Sequence, residues 1–345
     1  MINVKYIDKS ALLNNLDVCK KYCSNIIVMV KADAYGHGVK TVVKILKDKV
    51  KFWGVANTDE ALNLRKFLDN THTILVVGKS QNFGQLIKNN IDITIDDFKE
   101  LIDIKNFCIK NKIKASIHIA INTGMNRIGV KNIKEFKRLL EIIKSSNYIK
   151  LKGVFTHCFD EDSVDNHFDK QMAKFKRFVD CVKDKDVLVH IGGSFCLTKS
   201  VSKFVNMVRV GYFLYGYGSA ELKPVMTIES KVVKITHCKV GEFVGYGKTK
   251  LSKDSDIALI PLGYADGIPF NFADGGYVYI KNKPCPVLGR ICMDMLMVDV
   301  TNIDIKLDDK VTIFDNAEYY AKIAKTLPYE ILTNFSKART KTLIK

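Results

Sequence analysis

Eight short apolar runs recur between residues 10 and 218 with amphipathic stretches between them, and few folds accommodate that alternation. The runs are 26–30, 52–56, 73–77, 91–95, 115–121, 151–156, 187–191 and 207–210. Each has the length of a strand, whereas 97–110, 131–145 and 165–184 place apolar residues three and four apart, as on one buried helix face. Eight strands each paired with a helix predict an α/β fold, a closed (β/α)8 barrel over residues 10–218. An open doubly wound sheet is the competitor, but it more usually needs fewer strands. Past Gly218 the texture changes: strand-like segments 227–236, 256–261, 276–280 and 296–300 are broken by Gly and Pro turns. Residues 219–345 are therefore expected to form a mainly β C-terminal domain, and the extended residues 1–9 to join it.

Composition narrows the function. No apolar stretch approaches the ~20 residues needed to cross a bilayer, and Met1-Ile2-Asn3-Val4-Lys5-Tyr6 lacks the basic start and apolar run of a secretion signal. A cytoplasmic protein is the expectation. Nine cysteines, an odd number without a Cys-x-x-Cys pair, read as reduced buried thiols. The histidines form no His-Glu-x-x-His or tight Cys/His cluster, so no metal site is expected. A net charge of +17 raises the question of nucleic acid. However, the charge is mostly lysine spread along helical segments, without an arginine-rich stripe or recognisable motif. Arginines are few, which makes Arg127, Arg209 and Arg290 more informative.

In a (β/α)8 barrel the working groups sit at the C-terminal ends of the strands. Lys31 follows the first run, in Val30-Lys31-Ala32-Asp33-Ala34-Tyr35-Gly36-His37-Gly38. A charged lysine is costly to bury there, but a desolvated amine of lowered pKa can form a Schiff base with an aldehyde cofactor. Arg127 lies just past strand five and His157 ends strand six. Gly192-Gly193-Ser194 opens a helix after strand seven, and Arg209 lies in strand eight ahead of Gly211-Tyr212. Each signal alone is weak; together they converge on one rim. A phosphate at Ser194, Gly211 and Tyr212, a lysine for an aldehyde and an arginine near a ring nitrogen are the requirements of pyridoxal 5'-phosphate.

These residues resemble the alanine racemase family of barrel-type, pyridoxal-phosphate-dependent enzymes, from near residue 2 to near residue 336. The nonapeptide Val-Lys-Ala-Asp-Ala-Tyr-Gly-His-Gly matches its cofactor-lysine motif. Thr123-Gly124-Met125-Asn126-Arg127 and Arg209-Val210-Gly211-Tyr212 match two more blocks. Val244-Gly245-Tyr246-Gly247, Gly263-Tyr264-Ala265-Asp266-Gly267 and Gly289-Arg290-Ile291-Cys292-Met293-Asp294 match three in the second domain. The resemblance implies interconversion of L- and D-alanine by two bases, supplying D-alanine for peptidoglycan. Lys31 would serve the D-enantiomer and Tyr246 the L-enantiomer. His157 and Arg209 would support the tyrosine, and Arg209 would keep the cofactor ring nitrogen unprotonated. Tyr35, Ser194, Gly211 and Tyr212 would join Lys31, His157 and Arg209 around the cofactor. Arg127, Met293, Tyr264 and Asp294 would contact substrate, with Tyr35 and Tyr264 narrowing the entrance. The family builds its site between subunits, so a homodimer is implied.

Three departures stand out. Ala120 occupies a position where many members carry a lysine that becomes carbamylated and steadies the arginine corresponding to Arg127; a bound anion such as chloride, or a water network, is the expected substitute. Gly193 stands where Asn is common, and the tail Lys337-Ala338-Arg339 departs from the usual spacing, so no site residue is carried over from it. A fold-related decarboxylase would carry a different C-terminal motif, and a non-catalytic carrier of the cofactor would end near the close of the barrel. A serine racemase or one of broader specificity is the nearest alternative.

Overall fold

The computed structural model describes residues 2–159, 166–197 and 203–345, the side chain of residue 337 excepted. After a first strand β1 (Val4–Ile7), each apolar run forms a strand. These are β2 (Ile26–Met29), β3 (Phe52–Val55), β4 (Thr73–Val76), β5 (Asp92–Ile95), β6 (Ala115–Ala120), β7 (Ile149–His157), β8 (Leu188–Gly192) and β9 (Met207–Val210). They pair in parallel in chain order, and β9 returns to β2 to close the barrel. The strands are mostly apolar because one face fills the barrel and the other packs under helices, with Asp92, His118, His190 and Arg209 as buried, hydrogen-bonded exceptions. Val28, Trp53, Ile74, Ile93, Ile117, Val154 and Val208 are all fully buried, each such side chain contributing roughly 1.5–3 kcal/mol.

Helices cover the barrel where the sequence supplies a cap and an apolar stripe. The helix Phe98–Asn111 begins where the Asp97 side chain accepts the Glu100 amide at 2.8 Å, and it turns Leu101, Ile104 and Cys108 inward. The helix Ile133–Lys144 repeats the device with Asn132 as cap and Phe136, Leu139 and Ile143 as its buried face. The expected helix over 165–184 is shorter, His167–Val179. Beyond it Cys181 and Val182 make only turn bonds to Phe178 and Val179, and the polar Lys183-Asp184-Lys185-Asp186 has no apolar face to bury.

The second region contributes β10 (Met226–Lys231), β11 (Lys234–Cys238), β12 (Phe243–Val244), β13 (Thr249–Lys250), β14 (Ser255–Ile260), β15 (Tyr277–Ile280), β16 (Lys283–Leu288), β17 (Leu296–Asp299), β18 (Lys310–Phe314) and β19 (Lys341–Ile344). Nine strands form one sheet in the order β11-β14-β17-β16-β15-β18-β10-β1-β19, and β12 pairs with β13 alone. The single strand expected over 227–236 is two strands. Val232 still donates to Asp309 O, but Val233 donates to Leu259 O, so the chain changes partners between them. β1 runs antiparallel to β10 and parallel to β19, which seats the N-terminal residues in this sheet. The short helix Pro328–Asn334 then leads back against the barrel rim.

Candidate active site

A cavity of about 270 Å³ opens at the C-terminal end of the barrel. Lys31, Tyr35, Arg127, His157, Ser194, Arg209, Gly211 and Tyr212 all line it. No aspartate or glutamate lines it among the described residues. The cavity thus gathers three cationic side chains without a neutralising carboxylate, which suits a ligand carrying several negative charges.

Lys31 stands at the head of an unusual turn. Ala32, Asp33, Ala34 and Tyr35 all adopt left-handed backbone angles, with φ of 50°, 52°, 55° and 53°. Four successive non-glycine residues in this region are disfavoured by roughly 1–2 kcal/mol each, so surrounding contacts must hold them. Glu60 accepts the Ala32 amide at 2.7 Å and the Ala56 amide at 2.8 Å, stitching the turn to the end of β3. Burial, followed by the charge of Arg127, lowers the Lys31 pKa, while Glu60 opposes the shift. The amine is accordingly easier to deprotonate than a surface lysine.

Arg209 is buried beneath the cavity. Its guanidinium donates to Thr156 O at 2.9 Å, to His190 Nδ1 at 2.7 Å and to His157 Nδ1 at 3.2 Å. Because a guanidinium only donates, both histidines accept through Nδ1 and carry their proton on Nε2. Burial and the neighbouring Arg209 charge push His157 down to about 3, so it is neutral near pH 7. Burial draws Arg209 down only to about 10, which leaves it charged. Gly192 makes this contact possible: a Cβ there would lie 2.1 Å from Arg209 Nη2.

The Ser194 hydroxyl oxygen accepts the amides of Gly211 at 3.3 Å and Phe213 at 3.4 Å. The expected helix after Gly193 is a single 3-10 turn, Ser194–Leu197, within the described residues. Gly211 packs directly on Tyr35, whose hydroxyl would lie 2.3 Å from a Cβ placed there. Tyr35 is therefore buried in the cavity wall against Tyr215 rather than standing at its mouth. Tyr212 donates to Glu318 at 3.3 Å and stacks on Tyr329 at 4.4 Å. Tyr329 also lines the cavity, brought there by the C-terminal helix. No barrel-strand motif marks Tyr329, and it was not among the expected site residues.

Arg127 is exposed on the opposite wall, and no hydrogen bond or ion pair engages it among the described residues. Ala120, at the end of β6, also lines the cavity and contributes no polar atom.

Tyr246, Met293, Tyr264 and Asp294 do not line this cavity. Tyr246 sits in the turn between β12 and β13 and is 72% exposed; Met293 is 54% exposed. Gly247 seats that turn on Arg290, with a Cβ there only 2.8 Å from Nε. The loops carrying Tyr264 and Met293 are zipped together by Tyr264 N to Cys292 O and Ala265 N to Met293 O, both 3.0 Å. Arg339, from the tail that yielded no candidate, braces them by pairing with Asp266 at 2.8 Å and Asp294 at 2.8 Å.

The chain is thus a two-domain protein, a closed barrel with a lysine-bearing cavity joined to a β domain. Family models for the alanine racemase N-terminal and C-terminal domains match residues 7–219 and 225–343. An alanine racemase of Borreliella burgdorferi is 31% identical, over 96% of this chain and 94% of that protein. The structure superposes on an alanine racemase of Clostridium difficile with a TM-score of 0.93 at 33% identity, covering 100% of this chain and 96% of that one. An alanine racemase from Bartonella henselae with covalently bound pyridoxal phosphate gives 0.90 at 26% identity, covering 100% of both chains. The chain belongs to the alanine racemase family.

Proposed function

We infer that the chain interconverts L- and D-alanine, with pyridoxal 5'-phosphate held in the barrel cavity and Lys31 and Tyr246 as the two bases. The observation that carries this reading is the cavity itself: a lysine of lowered pKa faces a charged arginine, a neutral histidine and a serine–amide cradle, with no lining carboxylate. The residues fit the cofactor. Lys31 would hold its aldehyde and Arg209 would face its ring nitrogen. The Ser194 hydroxyl, its oxygen already accepting two amides, keeps its own proton to donate to a phosphate. When bound, pyridoxal phosphate withdraws electrons from an attached amino acid and so acidifies its α-carbon.

The chain's own groups do the rest. Lys31 takes or returns the α-proton on one face, and Tyr246 does so on the other. Arg209, fixed by Thr156, His190 and His157, supplies a charge that gives no proton away near neutrality. Arg127 orients the substrate carboxylate, and the positive cavity draws that carboxylate in. Tyr264, Met293 and Asp294 shape the approach.

Tyr246 stands exposed in its turn and does not line the cavity that holds Lys31, which supports a homodimer. Across a two-fold interface Tyr246 of one protomer faces Lys31 of the partner subunit, and the exposed Met293 and Tyr264 travel with it. An anion such as chloride beside Arg127 replaces the missing lysine at Ala120. Supply of D-alanine for peptidoglycan, in the cytoplasm, is the role this activity would serve. Among the described residues no helix is long and apolar enough to cross a membrane.

The test is to incubate the protein and cofactor in heavy water with single enantiomers of alanine, serine and other small amino acids, reading chirality and α-deuterium together. Racemisation of alanine well ahead of serine is expected. Release of carbon dioxide, or no exchange with any substrate, overturns the reading.

A further inference from the structure

Lys5 lies far from every cavity-lining residue in sequence and forms no part of the mechanism above, yet it is only 4% exposed. Lysine is almost never buried without a partner. Its ammonium donates to Gly36 O at 2.8 Å and to Phe335 O at 2.8 Å. Gly36 closes the left-handed turn that begins after Lys31, and Phe335 ends the segment that delivers Tyr329 to the cavity. Those two segments already press together: a Cβ at Gly36 would lie 2.1 Å from Leu332 O. Lys5 itself is anchored in β1, between β10 and β19 of the second domain's sheet.

The rest of the turn is held from the barrel side. Glu60 takes the Ala32 amide, Asp33 takes the Val39 amide at 2.8 Å, and the buried His37 ring donates to Ala34 O and Tyr35 O, both at 3.0 Å. The far end of the turn, at Gly36, has Lys5 as its side-chain tie. Without that donor the buried Gly36 carbonyl loses its side-chain partner, Phe335 O keeps only the Ala338 amide at 3.3 Å, and an intrinsically disfavoured backbone loses its latch.

We propose that Lys5 is a positioning residue: it latches the Lys31–Tyr35 turn to the Tyr329 segment, so that the β domain sets the geometry of the lysine and of the facing cavity wall. This rests on the reading of the cavity as a pyridoxal phosphate site. A rigid supporting layer of this kind decides whether a site is held tightly enough to work.

The test compares Lys5→Met, which keeps the side-chain length and removes the donors, with Ile7→Val, a mild cavity in the same strand. Amide hydrogen exchange over residues 32–38 should accelerate about tenfold or more in Lys5→Met, with β2 to β9 unchanged, and stay near wild type in Ile7→Val. Pyridoxal phosphate alone, titrated by absorbance, should bind Lys5→Met about tenfold more weakly, and Lys5→Arg should recover part of both effects. Should Lys5→Met fail to fold, Lys5→Gln, which retains an amide donor, carries the same comparison. Exchange over 32–38 no faster than in Ile7→Val, or unchanged cofactor affinity, overturns the latch. If the wild-type protein does not bind pyridoxal phosphate at all, the functional reading fails instead.

Discussion

The barrel rim and the exposed face of the β domain carry the two halves of the proposed site in opposite states. At the rim, Arg209 is buried with three acceptors, Ser194 holds two amides, and Tyr35 is packed against Gly211. On the β domain, Tyr246, Met293 and Tyr264 stand in solvent, although the loops beneath them are tied by Arg339 and by backbone bonds. A single chain completes the first half by its own packing. It prepares the second half and leaves it facing outward, as a surface does when its occupant is another molecule. On the proposed reading the difference implies that cofactor binding and catalysis should separate: one is completed within a single chain, the other would call for a second copy.

The largest effect expected is from Lys31→Ala, which should abolish covalent attachment of pyridoxal phosphate and remove a general base worth on the order of 10²–10⁴ in rate on its own. Tyr246→Phe should lose a comparable factor in turnover, especially from L-alanine, while cofactor absorbance stays intact. Mixing the two variants sharpens the comparison. If Tyr246 serves the partner, each mixed dimer regains one site with both bases, and random exchange restores about a quarter of wild-type activity. No recovery on mixing, with exchange of subunits verified by mass spectrometry, would break the division of labour.

That division also explains what could be read from the sequence. The eight barrel strands were legible because each is a short, largely apolar run set off from the next by a polar or amphipathic stretch. Lys31, His157, Ser194 and Arg209 were legible because strand ends define a barrel's rim. Tyr246 could be reached only through its motif, since nothing in periodicity links a turn between two short strands to a cavity more than two hundred residues away. Lys5, Glu60 and Tyr329 escaped notice because their partners are backbone atoms or rings brought near by tertiary folding. A carbonyl left over by a left-handed turn has no signature in residue type. The break between β10 and β11 was missed for a similar reason: apolar alternation continues through Val232-Val233 while the hydrogen-bond partners change.

A middle-sized effect should appear in acid. His37 and His157 are both held down to about 3 in the folded protein, chiefly by burial, against ~6.5 in an unfolded chain. Between those values the unfolded state binds more protons, so stability is complete above pH ~6.5 and is lost as pH falls toward 3. Each histidine contributes a slope approaching about 1.4 kcal/mol per pH unit. His157→Gln should flatten the pH dependence of urea unfolding by about one proton while β-domain contacts are untouched. An unchanged slope would mean that His157 is not buried neutral against Arg209.

The smallest effect tests the one weak point of the rim. Arg127, unlike the buried Arg209, has no hydrogen-bond or ion-pair partner among the described residues, and Ala120, which lines the same cavity, offers none. An exposed guanidinium held by a small anion gains at most ~1 kcal/mol from that contact. Exchanging chloride for a bulky anion at constant ionic strength should therefore reduce kcat/KM by no more than about fivefold. The reduction should vanish in Ala120→Glu, where a carboxylate placed at that wall supplies the missing charge. A salt response equal in both proteins would show that Arg127 needs no anion, and that the rim is complete in one chain except for the second base.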